Sequence, residues 1–493
     1  MIPPGYEGTL GQTPSGAITV NIAAAGKKIA DELKAITVKD SIYYYSDGLY
    51  HADERYVEVY VTRWLMEAGI TTGTTSLTRE LMAVIRSRDW RDRYPFDQQP
   101  NIIPCRNGVV RIEDDHSISF TGYQPDHLCT RRLDVEYNPD IGTEDTVAKT
   151  IAEWMDDDEA RVSLIQIPAL AIMQSWGHVW KLAFLLEGKT NAGKSTYCDM
   201  LTRFFARDNC GRVELADLTK NRFIKAALAG KYINIQDDLS SVPLTNLGRF
   251  KDLTGTHEHN IERKGKDSVP GYISAMHLYT CNGPPSVSNP AEQDDEAFWK
   301  RWNYLSFTNQ FEVDPNIKEF LSSDSTLSGL LNLVIAEIIE ILKDRTRIYR
   351  MTADEVKQTW TMAVDHVAQY ISQNYIREPT ATIPKDELYE HYAEWCSEHG
   401  HTAFPKAQMT TALSRMNVTT TQLNRKGKRI RAYRGLSPTK PVNNTPKSIW
   451  TPLDDHAIKA ERYLREAYPD NPDFAGPILI EGDDGEYYEV NEE

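Results

Sequence analysis

The stretch that most limits what this chain can fold into is LLEGKTNAGKSTY, residues 185–197. An apolar run ends at Gly188, a loop runs on to Ser195, and an amphipathic pattern of Tyr197, Met200, Leu201, Phe204 and Phe205 follows. Strand, glycine loop and helix form the context that the pattern G-x-x-x-x-G-K-[ST] requires. Gly188 and Gly193 permit backbone conformations that aim successive N–H groups at phosphate oxygens, and the helix adds its positive end. Lys194 sets a cation against the outer phosphates, and the Ser195 hydroxyl can ligate Mg²⁺. The spacing predicts a cradle for ATP and Mg²⁺, built from Gly188, Asn191, Ala192, Gly193, Lys194, Ser195 and Thr196.

From 146 to 345 the runs KLAFLLEG, KYINIQDD, MHLYTCN and WNYLSF alternate with helical or loop segments, as in a three-layer α/β domain with a largely parallel sheet. Each run turns polar at its C-terminal end, where ligands of such sheets bind. KYINIQDD delivers Asp237 to hold the metal and Asp238 to orient or deprotonate the attacking water. MHLYTCN ends at Asn282, whose amide can bond both γ-phosphate and water; Asn282-Gly283 also reads as an ordinary turn. Arg301, just before WNYLSF, can reach a neighbouring subunit's γ-phosphate or serve as a helix-end cation.

The flanks have other compositions. Residues 1–18 are rich in Gly, Pro and Thr and read as a disordered arm. Residues 19–145 combine helical periodicity at 55–68 and 78–88 with an alternating stretch around Asn107-Gly108, the pattern of an α+β domain. At 363–437, helical stretches precede a basic strand pair, the order of a winged helix; a linker and an acidic tail occupy 438–493. EWMDDDEAR, 153–161, reads as a solvated segment between helices. The net charge of −16 opposes nucleic acid on average, yet RKGKRIRAYR at 425–434 holds six bases and no acid. Neither a span of eighteen apolar residues nor a secretory signal occurs, so no membrane and a cytoplasmic location are expected. The six cysteines form no C-x-x-C pair, which points to neither a disulfide framework nor a zinc site.

The order of motifs, phosphate loop, Asp237-Asp238, NLGRFKDLTGTHEHNIERKGK, TCNGPP and FWKRWNYLSF, resembles the superfamily 3 DNA helicases, in particular the helicase portion of phage, plasmid and poxvirus primase–helicase proteins. Lys251, Leu253, Thr254 and Gly255 match that family's Lys-x-Leu-Thr-Gly segment, and Arg263, Lys264 and Lys266 its basic hairpin. The residues PCRNGVVRIEDDHSISFTGYQPDHLCTRRLDVEYNPD resemble the accessory domain before such cores, and IPKDELYEHYAEWCSEHGHTAFPKAQMTTAL the winged helix after them. The chain departs in three ways: an Asp pair where glutamate is frequent, Cys281 where threonine is usual, and no polymerase-type primase domain ahead of the helicase.

The resemblance implies a multidomain α/β chain with an α+β N-terminal accessory domain, an AAA+-like P-loop ATPase core and a C-terminal winged helix. It implies a homo-hexameric ring with ATP sites between subunits, Lys194 and Asp237 from one and Arg301 from the next. Arg263, Lys264 and Lys266 would line the channel and track single-stranded DNA, 3′ to 5′, toward forked duplex. In the wing, Arg425, Lys426, Lys428, Arg429 and Arg431 are the phosphate contacts expected from charge density, with Arg434 beside them. A separate primase or other replication proteins would supply priming. Two other readings stay open: an AAA+-type remodelling ATPase, and an origin-binding protein switched by nucleotide without unwinding.

Overall fold

The computed structural model describes residues 3–14, 16–220, 222–240, 242–263, 266–287, 290–398, 403–425 and 428–439, with the short strands Leu479–Glu481 and Tyr487–Glu489. At its centre a five-stranded parallel sheet is built from β1 (Ala183–Gly188), β2 (Cys210–Gly211), β3 (Ile233–Gln236), β4 (Met276–Cys281) and β5 (Trp302–Phe307), in the spatial order β2-β3-β4-β1-β5. Successive side chains of a strand leave opposite faces, so an apolar strand covered on both sides feeds two cores. Phe184 and Leu186 of β1 join Leu278 and Leu305 in one cluster, whereas Leu185 joins Tyr279 and Trp302 in the other.

The first face carries the helices Ser163–Ser175, Lys194–Phe205 (α1) and Asp324–Lys343. Among the described residues, Asp324–Lys343 is the one helix long and apolar enough to cross a membrane; Leu327, Leu330, Leu331, Val334, Ile335, Ile338 and Ile341 are buried in this core instead. The second face carries Gly248–Gly255 and the helix Ala353–Val364, which sinks Trp360 between Phe298 and Trp302. The core thus continues beyond residue 345 to Val364, because Val356 and Trp360 have their apolar partners on the sheet.

Ahead of the core, a mixed sheet of Leu49–Ala52, Ser41–Ser46, Ile36–Val38 and Trp90–Arg91 packs with the helices Ile22–Glu32, Glu54–Glu67 and Thr74–Arg88. Side-chain caps start two of them, Asn21 accepting from the Ala24 amide and Asp53 from that of Tyr56. The alternating stretch forms the antiparallel strands Ile102–Cys105, Gly108–Ile112 and Ile118–Thr121. Two expectations are corrected. The arm at 1–18 is ordered in its described residues: Leu10–Gln12 pairs with Ile18–Val20, Leu10 is buried, and the Tyr6 ring lies 4.8 Å from that of Trp64, so its few apolar residues suffice to anchor it. Nor is 153–161 simply solvated, since Trp154 and Met155 are buried in the main core.

The C-terminal module runs His366–Asn374 (helix), Tyr375–Pro384 (strand), Lys385–Glu398 and Lys406–Arg415 (helices), Thr419–Arg425 and Lys428–Pro438 (strands). The strand Tyr375–Pro384 pairs with Lys428–Pro438, which also pairs with Thr419–Arg425. Tyr392 and Trp395 are buried in the module's core and Tyr389 packs against it, as their helical spacing suggests. Most of the linker and acidic tail lies outside the described residues.

Candidate functional site

The loop after β1 is shaped by steric demands that only glycine meets. A Cβ on Gly188 would stand 2.5 Å from the Phe307 carbonyl oxygen of β5. Gly193 has φ +94°, and a Cβ there would lie 2.6 Å from the buried Trp154 indole. Asn191 takes a left-handed conformation as well, φ 64°, which asparagine tolerates. Two bonds from the chain after β5 clamp the loop: the Phe311 amide to the Asn191 carbonyl (2.9 Å) and Gln310 Nε2 to that of Thr190 (3.0 Å). Thr308 and Asn309 bond Asp156, two residues beyond Trp154. Gly193 caps α1 without a side-chain hydrogen bond, so the first helical N–H groups face the loop free of a side-chain cap. Ala192 is buried, Ser195 is exposed and Thr196 is half-buried on that first turn.

Lys194 is buried and spends its three ammonium donors on the carbonyls of Gly188 (2.6 Å) and Lys189 (2.9 Å) and on Asn282 Oδ1 (3.1 Å). Burial holds its pKa below the ordinary lysine value, against an opposing pull from Cys281, Glu187, Asp237 and Asp238. The contact with Asn282 joins the tip of β1 to that of β4. A second bridge joins β4 to β3: Thr280 Oγ donates to Asp237 Oδ1 (2.6 Å) and accepts from the Asp238 amide (2.8 Å). Asp238 sits at φ 58°, and both aspartates are exposed. Lys194, Asp237, Asp238 and Asn282 therefore converge at the ends of three adjacent strands. Thr280 is a site residue that the sequence reading missed; its neighbour Cys281 is buried and points into the second core. Lys318 Nζ reaches Asp199 (2.7 Å) one turn along α1, also unforeseen.

The donor set suits Mg²⁺, which keeps waters and phosphate oxygens and takes few protein ligands. One hydroxyl, Ser195, and one carboxylate, Asp237, border the loop; among the described residues no group of three or more His, Cys, Asp or Glu side chains could hold a metal alone.

Arg301 is not brought to this cluster. The Ala183 amide bonds its carbonyl (2.6 Å), so Arg301 stands where β1 begins and the loop where β1 ends, about 17 Å apart at the usual rise of a strand. Its guanidinium bonds Thr254 Oγ (2.8 Å) and the Lys251 carbonyl (3.3 Å), and contacts the Ala297 carbonyl. Burial lowers its pKa, with Asp295 pulling the other way. Lys300 beside it pairs with Glu296 at the surface.

The helix holding Arg301 leads directly into a hairpin of Glu258–Arg263 and Lys266–Tyr272, with Arg263 opposite Lys266 at its far end; Lys264 lies outside the described residues. In the C-terminal module's strand pair, Arg425 is opposite Lys428, Arg429 and Arg431 are exposed on one face of their strand, and Arg434 is exposed nearby; Lys426 lies outside the described residues. Each basic group ends a separate antiparallel pair.

Three family models match. Residues 34–157 match the D5 N terminal like family, residues 186–301 a family of unknown function (DUF5906), and residues 363–440 the Poxvirus D5 protein-like family. A search of curated proteins returns no significant match. Among solved structures, the apo C-terminal region of NrS-1 (305–718) aligns with 84% of this chain and 99% of its own at 13% identity and a TM-score of 0.46. A second, A-form apo structure of that region aligns with 83% of this chain and 98% of its own at 11% identity and a TM-score of 0.43. Segments on both sides of the central loop thus match D5-like families, 34–157 ahead of it and 363–440 after it, in line with the resemblance to poxvirus primase–helicase proteins.

Proposed function

We propose that the protein is an ATP-driven replicative DNA helicase of a virus, plasmid or integrated element. Its core is an AAA+-like P-loop ATPase and its C-terminal module a winged helix, a reading supported by the order helix, strand, helix, helix, strand, strand. The carrying observation is the separation of Lys194 and Arg301 at opposite ends of β1. A complete site then needs a second copy, and a ring of six supplies one Arg301 to every neighbouring phosphate loop.

Within one subunit, Lys194 leaves the Gly188 and Lys189 carbonyls for the outer phosphates, Asn282 follows the γ-phosphate, and Asp238 orients the water. Mg²⁺, when bound, neutralises charge on the phosphates, and Ser195 and Asp237 are the residues that would hold it. Arg263, Lys264 and Lys266 of the hairpin contact the backbone of single-stranded DNA without regard to sequence, while Arg425, Lys426, Lys428, Arg429 and Arg431 grip duplex ahead of the fork. Translocation runs 3′ to 5′, and a separate primase supplies primers.

The test mixes two variants. Lys194→Ala and Arg301→Ala proteins are each inactive, but a mixed ring contains borders at which an intact Lys194 meets an intact Arg301, so ATP hydrolysis returns on mixing. No recovery, or a monomer at all ATP and DNA concentrations, overturns the shared-site reading. Hydrolysis without displacement of a strand from 3′-tailed forks would favour a remodelling ATPase instead.

A further inference from the structure

Between Arg301 and Lys343 the sequence holds one Lys or Arg, Lys318. It lies on the short helix Ile317–Leu321 that follows β5. The chain leading there is tied to the phosphate loop by Gln310 and by the Phe311 amide, and the helix itself is anchored in the first core by Ile317 and Leu321. Its backbone is therefore fixed beside the loop, while its side chain stays 58% exposed and free to change partners. In this structure Nζ donates to Asp199 Oδ2 at 2.7 Å.

Asp199 is four residues after Ser195 on α1, and both are exposed. Residues at that spacing share one helix face, about 6 Å apart along the axis, and helical side chains lean toward the N-terminus. The carboxylate of Asp199 thus leans toward the Ser195 hydroxyl and keeps the Lys318 ammonium on that side of the loop. The bond to Asp199 and its charge raise the lysine's pKa above the ordinary value; burial opposes this, and Asp237 adds to the rise. Lys318 is therefore within electrostatic reach of the carboxylate at the tip of β3.

As a structural tie the pair has little to do. An exposed ion pair adds little to stability, and Ile317 and Leu321 already hold the helix. A bound triphosphate changes the balance of charge. With Asp237 and Asp238 beside it, its negative charge exceeds what Lys194 and one Mg²⁺ neutralise, and Arg301 stands at the other end of β1. A lysine on a flexible stem is a suitable point charge for a phosphate oxygen, and phosphate outcompetes a carboxylate shared with water.

We propose that Lys318 is a second nucleotide-binding lysine of the same subunit, which leaves Asp199 for a γ-phosphate oxygen when Mg·ATP binds. The inference rests on the ATPase reading of the loop. ADP has no γ-phosphate, so with ADP the ammonium stays on Asp199. Exchange between the two partners makes Lys318 a residue that distinguishes triphosphate from diphosphate.

The test compares the affinities of the full chain for fluorescent derivatives of ATPγS and ADP, with Mg²⁺ at constant salt, alongside thermal melting. Lys318→Ala should weaken ATPγS about tenfold or more and ADP less than about twofold, at an unchanged Tm, and Lys318→Arg should recover most of the loss. Asp199→Asn removes the same ion pair but leaves the lysine, and should hold ATPγS as tightly as the wild type or more tightly. If the pair is only a structural tie, the two variants lower Tm and both affinities alike, which overturns the proposal. Equal losses for ATPγS and ADP in Lys318→Ala, or no loss, overturn it too. Failure of the wild-type chain to bind either nucleotide refutes the ATPase reading itself and the proposal with it. Wild-type binding that Lys318→Ala leaves unchanged refutes the proposal alone.

Discussion

Thr280→Val keeps the shape of a side chain that is 1% exposed and removes only its hydroxyl. That hydroxyl makes two contacts, 2.6 Å to the Asp237 carboxylate and 2.8 Å to the Asp238 amide. A hydrogen bond to a charged group contributes about 1.5–3 kcal/mol. Asp237 is exposed, so water replaces much of this in the fold's own balance, and we expect a loss of about 1 kcal/mol in stability. Positioning is not so easily replaced: Asp238 loses the bond that holds its left-handed backbone, and Asp237 is free to turn from the position proposed for Mg²⁺. If the full bond energy is felt only in the nucleotide complex, kcat/KM for Mg·ATP falls about 10- to 150-fold. Hydrolysis measured over a Mg²⁺ titration, alongside thermal melting, checks this, and Thr280→Ser should recover most of the activity. Unchanged hydrolysis and an unchanged Mg²⁺ midpoint in a folded Thr280→Val protein would refute the role of the β3–β4 bridge.

Gly193→Ala should lower ATP affinity at least tenfold and destabilise the fold by about 1–3 kcal/mol, because φ +94° and the Trp154 indole 2.6 Å away both oppose a Cβ; fluorescent-nucleotide binding and denaturant melts measure it. His277 is fully buried, and desolvation depresses its pKa to about 4, so the folded state keeps it neutral while the unfolded chain protonates near pH 6.5. Its contribution is complete above that pH and is lost as pH falls toward 4, by about 2 kcal/mol at pH 5, and urea midpoints of His277→Gln should be flatter across that range. Thr254→Val removes the hydroxyl that Arg301 Nε bonds, and should reduce DNA unwinding more than ATP binding; equal losses in helicase and filter-binding assays would count against it.

The strand, glycine turn and helix of the candidate loop were legible because their signal is local: an apolar run, the spacing of Gly188 and Gly193 and an amphipathic pattern lie side by side in the sequence. The apolar runs likewise gave four of the sheet's strands, since burial on both faces leaves continuous hydrophobic stretches. β2 is only Cys210–Gly211, too short for any periodicity to mark. Strand Tyr375–Pro384 carries Pro379 and a register shift between Glu378 and Thr382, so its pattern is broken where its pairing is. Long-range contacts left no local trace. Trp154 against Gly193 and Thr280 against Asp237 join residues about 40 positions apart, and only the sheet order makes them neighbours. The arm misled for a related reason: its composition is that of disorder, but Tyr6 and Leu10 find Trp64 and the first helix once those are folded.

The second core explains how Arg301 could report to the hairpin. Gly248–Gly255 packs Phe250 flat against Trp302, with 4.8 Å between ring centroids and 8° between their planes, and presents Thr254 and the Lys251 carbonyl to Arg301. Lys251 itself pairs with Asp295, just ahead of the short helix that ends before Arg301, so helix and arginine are tied at two points. The same helix ends at Thr256, its Asp252 is held by Lys225, and strand Glu258–Arg263 begins two residues on. In the proposed ring, a pull on the guanidinium from a neighbour's nucleotide would therefore meet a stiff, aromatic-backed helix rather than a loop. Such a helix has little room to bend within a close-packed core, so displacement passes to the hairpin stem instead of being absorbed.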